Sequence, residues 1–232
     1  MDFAVIAANG ALFLQGLWMT VQLLGLALLA GTLIGVAVGV LRASRNPLVR
    51  GLPWLYIWFF RGTPLLVQIF MIYHGLAQFE AVRENVWLWP VLAEAYWCAV
   101  IGFSLNTGAY TAAIIHGAIA QTPHGELEAA RACGMSPWTV GRRIVLPGAL
   151  RRALPAYANE VIFTLHGTAV AGVITIVDLF GAARVVSARH FVPFEAFITA
   201  GSCYLLLTLV IVAGFRYQER RWHAHLRAPA PD

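Results

Sequence analysis

Gly125–Pro147, GELEAARACGMSPWTVGRRIVLP, is polar, basic and helix-forming, yet it lies between long apolar runs. It divides into two short helices. Thr122 can cap the first, with Pro123 in its first turn, where a missing N–H removes no helical hydrogen bond. Glu126 and Glu128 sit near that positive helix end, where acids are favoured. Gly134 is a natural left-handed stop. Ser136-Pro137 repeats the cap-then-proline start, and Pro147 closes the second unit. The expectation is a compact helical hairpin over 122–147.

Of 232 residues, 59% are hydrophobic and 12% charged, against about 25% charged in a soluble domain. The chain therefore reads as one all-α membrane domain over 1–232. All 16 basic residues are arginine. Without lysine there is no G-x-x-x-x-G-K-[ST] phosphate loop, so ATP, if it drives this protein, must be hydrolysed by another chain. Cys98, Cys133 and Cys203 are odd in number and scattered, which suits neither a disulfide framework nor a metal site. His223-x-His225 lacks further ligands and is not read as metal-binding. No H-E-x-x-H, G-x-S-x-G or paired-cysteine motif is present, so no catalytic residue is assigned.

Five apolar spans are expected at about 12–40, 53–77, 96–120, 155–177 and 193–215, each long enough for the roughly 20 residues a bilayer requires. The leading MDFAVIAANG carries no basic residue and does not read as a secretory signal. In the first span Gly25, Gly31, Gly35 and Gly39 recur near every fourth residue, a spacing that permits close helix packing in lipid, within the subunit or against a partner. In the second, Arg61-Gly62-Thr63-Pro64 predicts a kink. Arg61 either faces a polar path or snorkels to the headgroups. The third carries Asn106, Thr107 and His116, the fourth Asn159, Glu160, Thr164, His166 and Thr168. Polar groups at such depth should face the bundle or a wet cavity, and His166-Gly167-Thr168 is a place for local unwinding beside one. Asp178 falls in the outer connection, and Glu195 at the outer interface. Arg42, Arg45 and Arg50, the arginines of 122–152, and Arg216, Arg220, Arg221 and Arg227 lie on one side. Arg83, Arg184 and Arg189 lie on the other. The larger group marks the cytoplasm, which puts the N-terminus outside and the C-terminus inside, and accounts for the net charge of +5 without nucleic acid.

Glu128-Ala129-Ala130, three residues, Gly134, nine residues, then Ile144-x-Leu146-Pro147 resembles the EAA loop of ABC importer permeases. FRGTPLLVQ, PHGELEAARA and LPAYANEVIFTLHGTAV look like the polar-amino-acid branch, most of all the histidine, lysine/arginine/ornithine and opine permeases. The resemblance implies a type I importer fold in the bacterial inner membrane, with five helices and a cytoplasmic coupling helix. It implies an ABC ATPase dimer that binds ATP-Mg and hydrolyses it, a second homologous permease or a copy of this one, and a periplasmic substrate-binding protein. Glu128, Ala129, Ala130, Gly134, Ile144, Leu146 and Pro147 would dock on the ATPase. Glu160, Asn106, His166, Thr168 and Arg61 are the substrate-path candidates, with Glu160 best placed to meet a cation. The expected cargo is a basic amino acid or opine. The alternatives are a glutamine- or glutamate-type substrate, or an ion-driven amino acid transporter, for which the EAA-like loop has no purpose.

Overall fold

The computed structural model describes residues 3–222. Arg227 and the His223-x-His225 pair lie outside the described residues. Every regular element among them is helical. A short α1 (Phe3–Ala8) packs on the last helix and on the start of α2 (Gly10–Arg42). The second apolar stretch is α3 (Pro47–Gly62) followed by α4 (Leu65–Phe70), which runs on through a π turn at Met71–Gly75 and a 3-10 turn at Leu76–Gln78. Two single-turn helices, α5 (Glu80–Arg83) and α6 (Trp89–Leu92), lead into α7 (Ala95–Ala120). Then come α8 (His124–Ala132), α9 (Pro137–Val140), α10 (Leu146–Gly167), α11 (Leu179–His190) and α12 (Pro193–Trp222). Helices α2, α7 and α12 are each long and apolar enough to cross a membrane, and two bent helix pairs, each taken as one span, bring the described residues to five crossings.

The centre of the bundle is α7, whose mid-section is mostly buried. It lies along α2 through a seam of small residues. A Cβ built on Gly31 would overlap the Thr107 methyl, one on Gly35 would fall 2.5 Å from Thr111 Cβ, and one on Gly39 2.8 Å from the Ala112 carbonyl. Gly31, Gly35 and Gly39 thus serve packing within the subunit. Because the partners advance in the same sense along both helices, α2 and α7 run parallel, as first and third crossings must. Gly25 takes no part in the seam; nothing lies within 4 Å of its missing Cβ.

The second crossing is broken rather than kinked. Its halves meet at 104°, and Thr63 and Pro64 are both extended. The proline ring disfavours the helical conformation of the residue before it, so Thr63 leaves the helix and α4 starts afresh. The helix also begins earlier than expected: Asn46 accepts the Leu48 N–H at 3.0 Å and caps α3, with Pro47 in its first turn.

Three further expectations are corrected. Thr122 does not cap α8, whose N-cap residue is Pro123. Its hydroxyl instead donates to Ile119 O at 2.8 Å and accepts from Arg152 Nη2 at 2.8 Å. Pro147 does not close the hairpin. It sits in the first turn of α10, preceded by a π turn at Gly141–Val145, an extra residue that makes room where a proline interrupts the ladder. The helix from Pro137 therefore continues through the fourth crossing to Ile174, where a 3-10 segment ends, before a 52° bend into α11. Asp178 and Glu195, expected in the outer connection and at the outer interface, are both buried among the helices rather than exposed. Asp178 caps α11 by accepting from Gly181 N at 2.9 Å and from the Tyr204 hydroxyl of α12 at 3.0 Å. Leu179 N donates to Thr20 Oγ1 of α2 at 3.1 Å, so the bend is tied to both neighbours.

The seam leaves no room for a side chain. Gly35→Val should cost about 3 kcal/mol or more through overpacking, read as a lower melting temperature or loss of monodisperse protein in detergent, while Gly25→Val leaves both unchanged. Equal effects at the two positions would contradict this packing.

Candidate functional site: a mid-membrane cleft and a cytosolic hairpin

A cleft of about 480 Å³ opens between α4, α7 and α10; Leu65, Phe103, Asn106, Tyr110, Asn159 and Glu160 are among its lining residues. Asn106 and Thr107 stand at the midpoint of the 26-residue α7, about 18 Å from either end at 1.5 Å per residue. Glu160 faces them from α10 and is 7% exposed. Thr107 Oγ1 donates to Glu160 Oε1 at 2.9 Å, and Thr164, one turn further along α10, approaches the same oxygen at 3.3 Å. The hydrogen bonds to its carboxylate among the described residues all come from hydroxyls, and the nearest arginine charge, Arg61, acts on it from a distance rather than in contact. Neutral donors orient a carboxylate while leaving its charge for something else to meet.

Asn106 is fixed from the other side. Its Nδ2 donates to Gln68 Oε1 at 2.9 Å and reaches Phe60 O at 3.4 Å. Gln68 Nε2 in turn donates to Phe60 O at 2.8 Å and to Thr63 O at 3.0 Å. Both carbonyls were freed by the break in the second crossing, and in lipid such groups need a partner. Arg61 lies outside the cleft wall, but its guanidinium stacks 5.1 Å from the centroid of Tyr110, which lines it.

The structure thus brings Glu160 and Asn106 together, with Arg61 close by. His166 and Thr168 stand apart. His166 is exposed and lies against α12, its ring 6.2 Å from that of Tyr204 and its Nε2 3.4 Å from Thr208 Oγ1. Thr168 is fully buried and donates to Leu165 O at 2.7 Å. The backbone does change at that point, from α-helix to a 3-10 segment at Thr168–Ile174, but outside the cleft lining. Sequence reasoning passed over Gln68 and Tyr110, and named Asn159 only among the polar residues of the fourth span. Gln68 closes the FRGTPLLVQ run, four residues beyond Pro64, and a glutamine so soon after a helix break was the available signal.

On the cytosolic side α8 and α9 form the hairpin. Gly134 has φ of +71°. Its N–H bonds Arg131 O at 2.9 Å and that of Met135 bonds Ala130 O at 3.1 Å, the paired bonds of a Schellman stop. Ser136 Oγ accepts the Thr139 N–H at 3.3 Å and caps α9. Glu128, Ala129 and Gly134 are exposed, as is Pro147; Ile144 and Leu146 are half-buried. Ala130 is turned inward, 4% exposed. Arg152 of α10 bonds both Ala118 O, at 3.2 Å, and Thr122, fastening α10 to the end of α7 where the hairpin begins.

A bundle of five crossings with a polar mid-membrane cleft and a cytosolic helical hairpin defines a membrane transport component. Residues 31–224 match the model of the binding-protein-dependent transport system inner membrane components, and the chain belongs to that family. It is 41% identical over 228 residues to the nopaline transport system permease protein NocM of Agrobacterium fabrum, covering 98% of this chain and 95% of that one. It is 44% identical over 211 residues to the histidine/lysine/arginine/ornithine transport system permease protein HisM of Salmonella typhimurium, covering 91% and 90%. A solved amino acid ABC transporter described as containing histidines superposes with a TM-score of 0.84 at 33% identity, over 95% of this chain and 99% of that chain. The MetNI methionine ABC transporter shares the fold, with a TM-score of 0.74 at 19% identity over 90% and 95%.

The hairpin stop is open to a direct test. A β-branched residue at Gly134 must adopt a left-handed backbone at about 1–2 kcal/mol, whereas Asn enters that region readily. Amide exchange across α8 should rise in Gly134→Val and stay near wild type in Gly134→Asn. Equal protection in the two would contradict the left-handed stop.

Proposed function

We propose that this permease is one membrane-spanning subunit of an ATP-driven importer of basic amino acids or their opine derivatives. The observation that carries the reading is Glu160: a buried acid at membrane mid-depth, oriented by neutral threonines and facing a cleft large enough for an amino acid. Such a group attracts an ammonium or guanidinium. The names of the relatives, nopaline and histidine/lysine/arginine/ornithine permeases, support the same substrate class. Arg61, on the ring of Tyr110, is the nearby positive charge available to a substrate carboxylate.

ATP-Mg binding and hydrolysis belong to a partner, a dimer of ABC ATPases, since this chain has no phosphate loop. The hairpin is the part that meets it. Glu128 and Ala129 offer an exposed helical face for a groove, and Gly134 sets the turn that presents it. A seated helix transmits rigid-body motion because its packed face cannot slip without losing its contacts. ATP binding closes the ATPase dimer, the hairpins move with it, and the bundle opens toward a periplasmic binding protein that delivers the substrate. A second permease, homologous or identical, completes the pathway. In this orientation the N-terminus is periplasmic and the C-terminus cytoplasmic, which keeps the arginine-rich connections inside.

Transport kinetics in proteoliposomes check the central residue. Glu160→Gln keeps the shape and the threonine contacts but removes the charge. It should raise the KM for arginine by about tenfold or more, the loss expected of a charge-assisted hydrogen bond. An unchanged KM and rate would remove Glu160 from the substrate path.

A further inference from the structure

We propose that Gln68 is a specificity-determining positioning residue: it fixes the amide of Asn106 so that the cleft is offered an acceptor and not a donor. The inference rests on the reading of the cleft as the substrate path.

The geometry leaves one arrangement of the two amides. Gln68 Nε2 lies 2.8 Å from Phe60 O and 3.0 Å from Thr63 O. Carbonyl oxygens only accept, so the NH₂ end of Gln68 must face them. Its Oε1 is then left to face α7, where only a donor can meet it. Asn106 supplies that donor, Nδ2 at 2.9 Å, with Phe60 O as a second acceptor at 3.4 Å. With its NH₂ group held between these oxygens, Asn106 has its Oδ1 to offer the cleft it lines. Gln68 is 7% exposed, so solvent does not compete for either end. The chain of constraint starts at Pro64: the break frees two carbonyls, the carbonyls orient Gln68, and Gln68 orients Asn106.

The result is a cleft with Glu160 Oε and Asn106 Oδ1 as acceptors on facing walls. That suits a cationic side chain, which presents N–H donors on every edge and a charge, over a neutral amide, which can turn donors to only one wall while its oxygen faces the other. A site rejects a ligand most strongly when its own buried polar groups are left unpaired.

The test compares arginine with citrulline, its neutral counterpart of the same length, as radiolabelled ligands of the detergent-purified complex without binding protein. Gln68→Met fills the space but frees Asn106 to rotate. It should weaken arginine binding about tenfold and change citrulline binding less than twofold. Gln68→Glu, in its protonated form, can donate its single O–H to one of the carbonyls while its other oxygen accepts from Asn106, so it should retain the preference for arginine; this variant decides the matter if Gln68→Met does not fold. Equal weakening of both ligands by Gln68→Met, no weakening of either, or loss of the preference in Gln68→Glu would overturn the proposal. Asn106→Ala and Glu160→Gln separate the two levels. If neither alters arginine binding, the reading of the cleft fails and this proposal with it. If both weaken it and Gln68→Met does not, only the role of Gln68 fails.

Discussion

The close approach of α2 and α7 is the interaction on which the rest depends. In lipid there is little hydrophobic gain in bringing two apolar helices together, so association relies on packing at short range. Gly31, Gly35 and Gly39 provide that range by removing side chains where α7 comes nearest. The seam does more than hold two helices. The Thr107 methyl sits in the space left at Gly31, and the Thr107 hydroxyl is the donor that orients Glu160. Packing on one face of α7 thereby sets the chemistry on the other.

A second principle runs through the molecule: every break in a membrane helix is repaired locally. Gln68 takes up the carbonyls released at Thr63-Pro64, and Asp178 and Thr20 take up the N–H groups at the start of α11. At Pro147 a π turn absorbs the proline. Thr20 comes from α2, and the local side chains reach further, Gln68 to Asn106 of α7 and Asp178 to Tyr204 of α12, so the first two irregularities are also joints between elements. The base of the hairpin is tied in a similar way, with Arg152 of α10 bonding the carbonyl end of α7, where a cation also favours the helix dipole.

Much of this was legible in the sequence. The apolar runs, the Gly134 stop and the Ser136 cap all express local rules of length and backbone geometry. The misread positions share a cause: the local rule was outweighed by a distant partner. Thr122 reads as a cap by position, but Arg152, thirty residues on, claims its hydroxyl. Pro147 reads as a terminator, yet a first-turn proline after a π turn lets the helix continue. Glu195 and Asp178 read as polar edge residues because nothing in their neighbourhood announces that α11 folds back into the bundle. His166 and Thr168 could be separated from Glu160 only through the helical phase of α10 together with the position of α12. Gln68 is silent alone, since its role exists only once the broken second crossing meets α7.

The central claim is that this bundle is a conduit driven by a partner ATPase through the hairpin. The most direct measurement is ATP hydrolysis by the reconstituted complex, in the presence of binding protein loaded with arginine, histidine, glutamine or an opine in turn. The account predicts that hydrolysis rises with a basic amino acid or an opine. Hydrolysis indifferent to every loaded binding protein, together with uptake driven by an ion gradient alone, would contradict it.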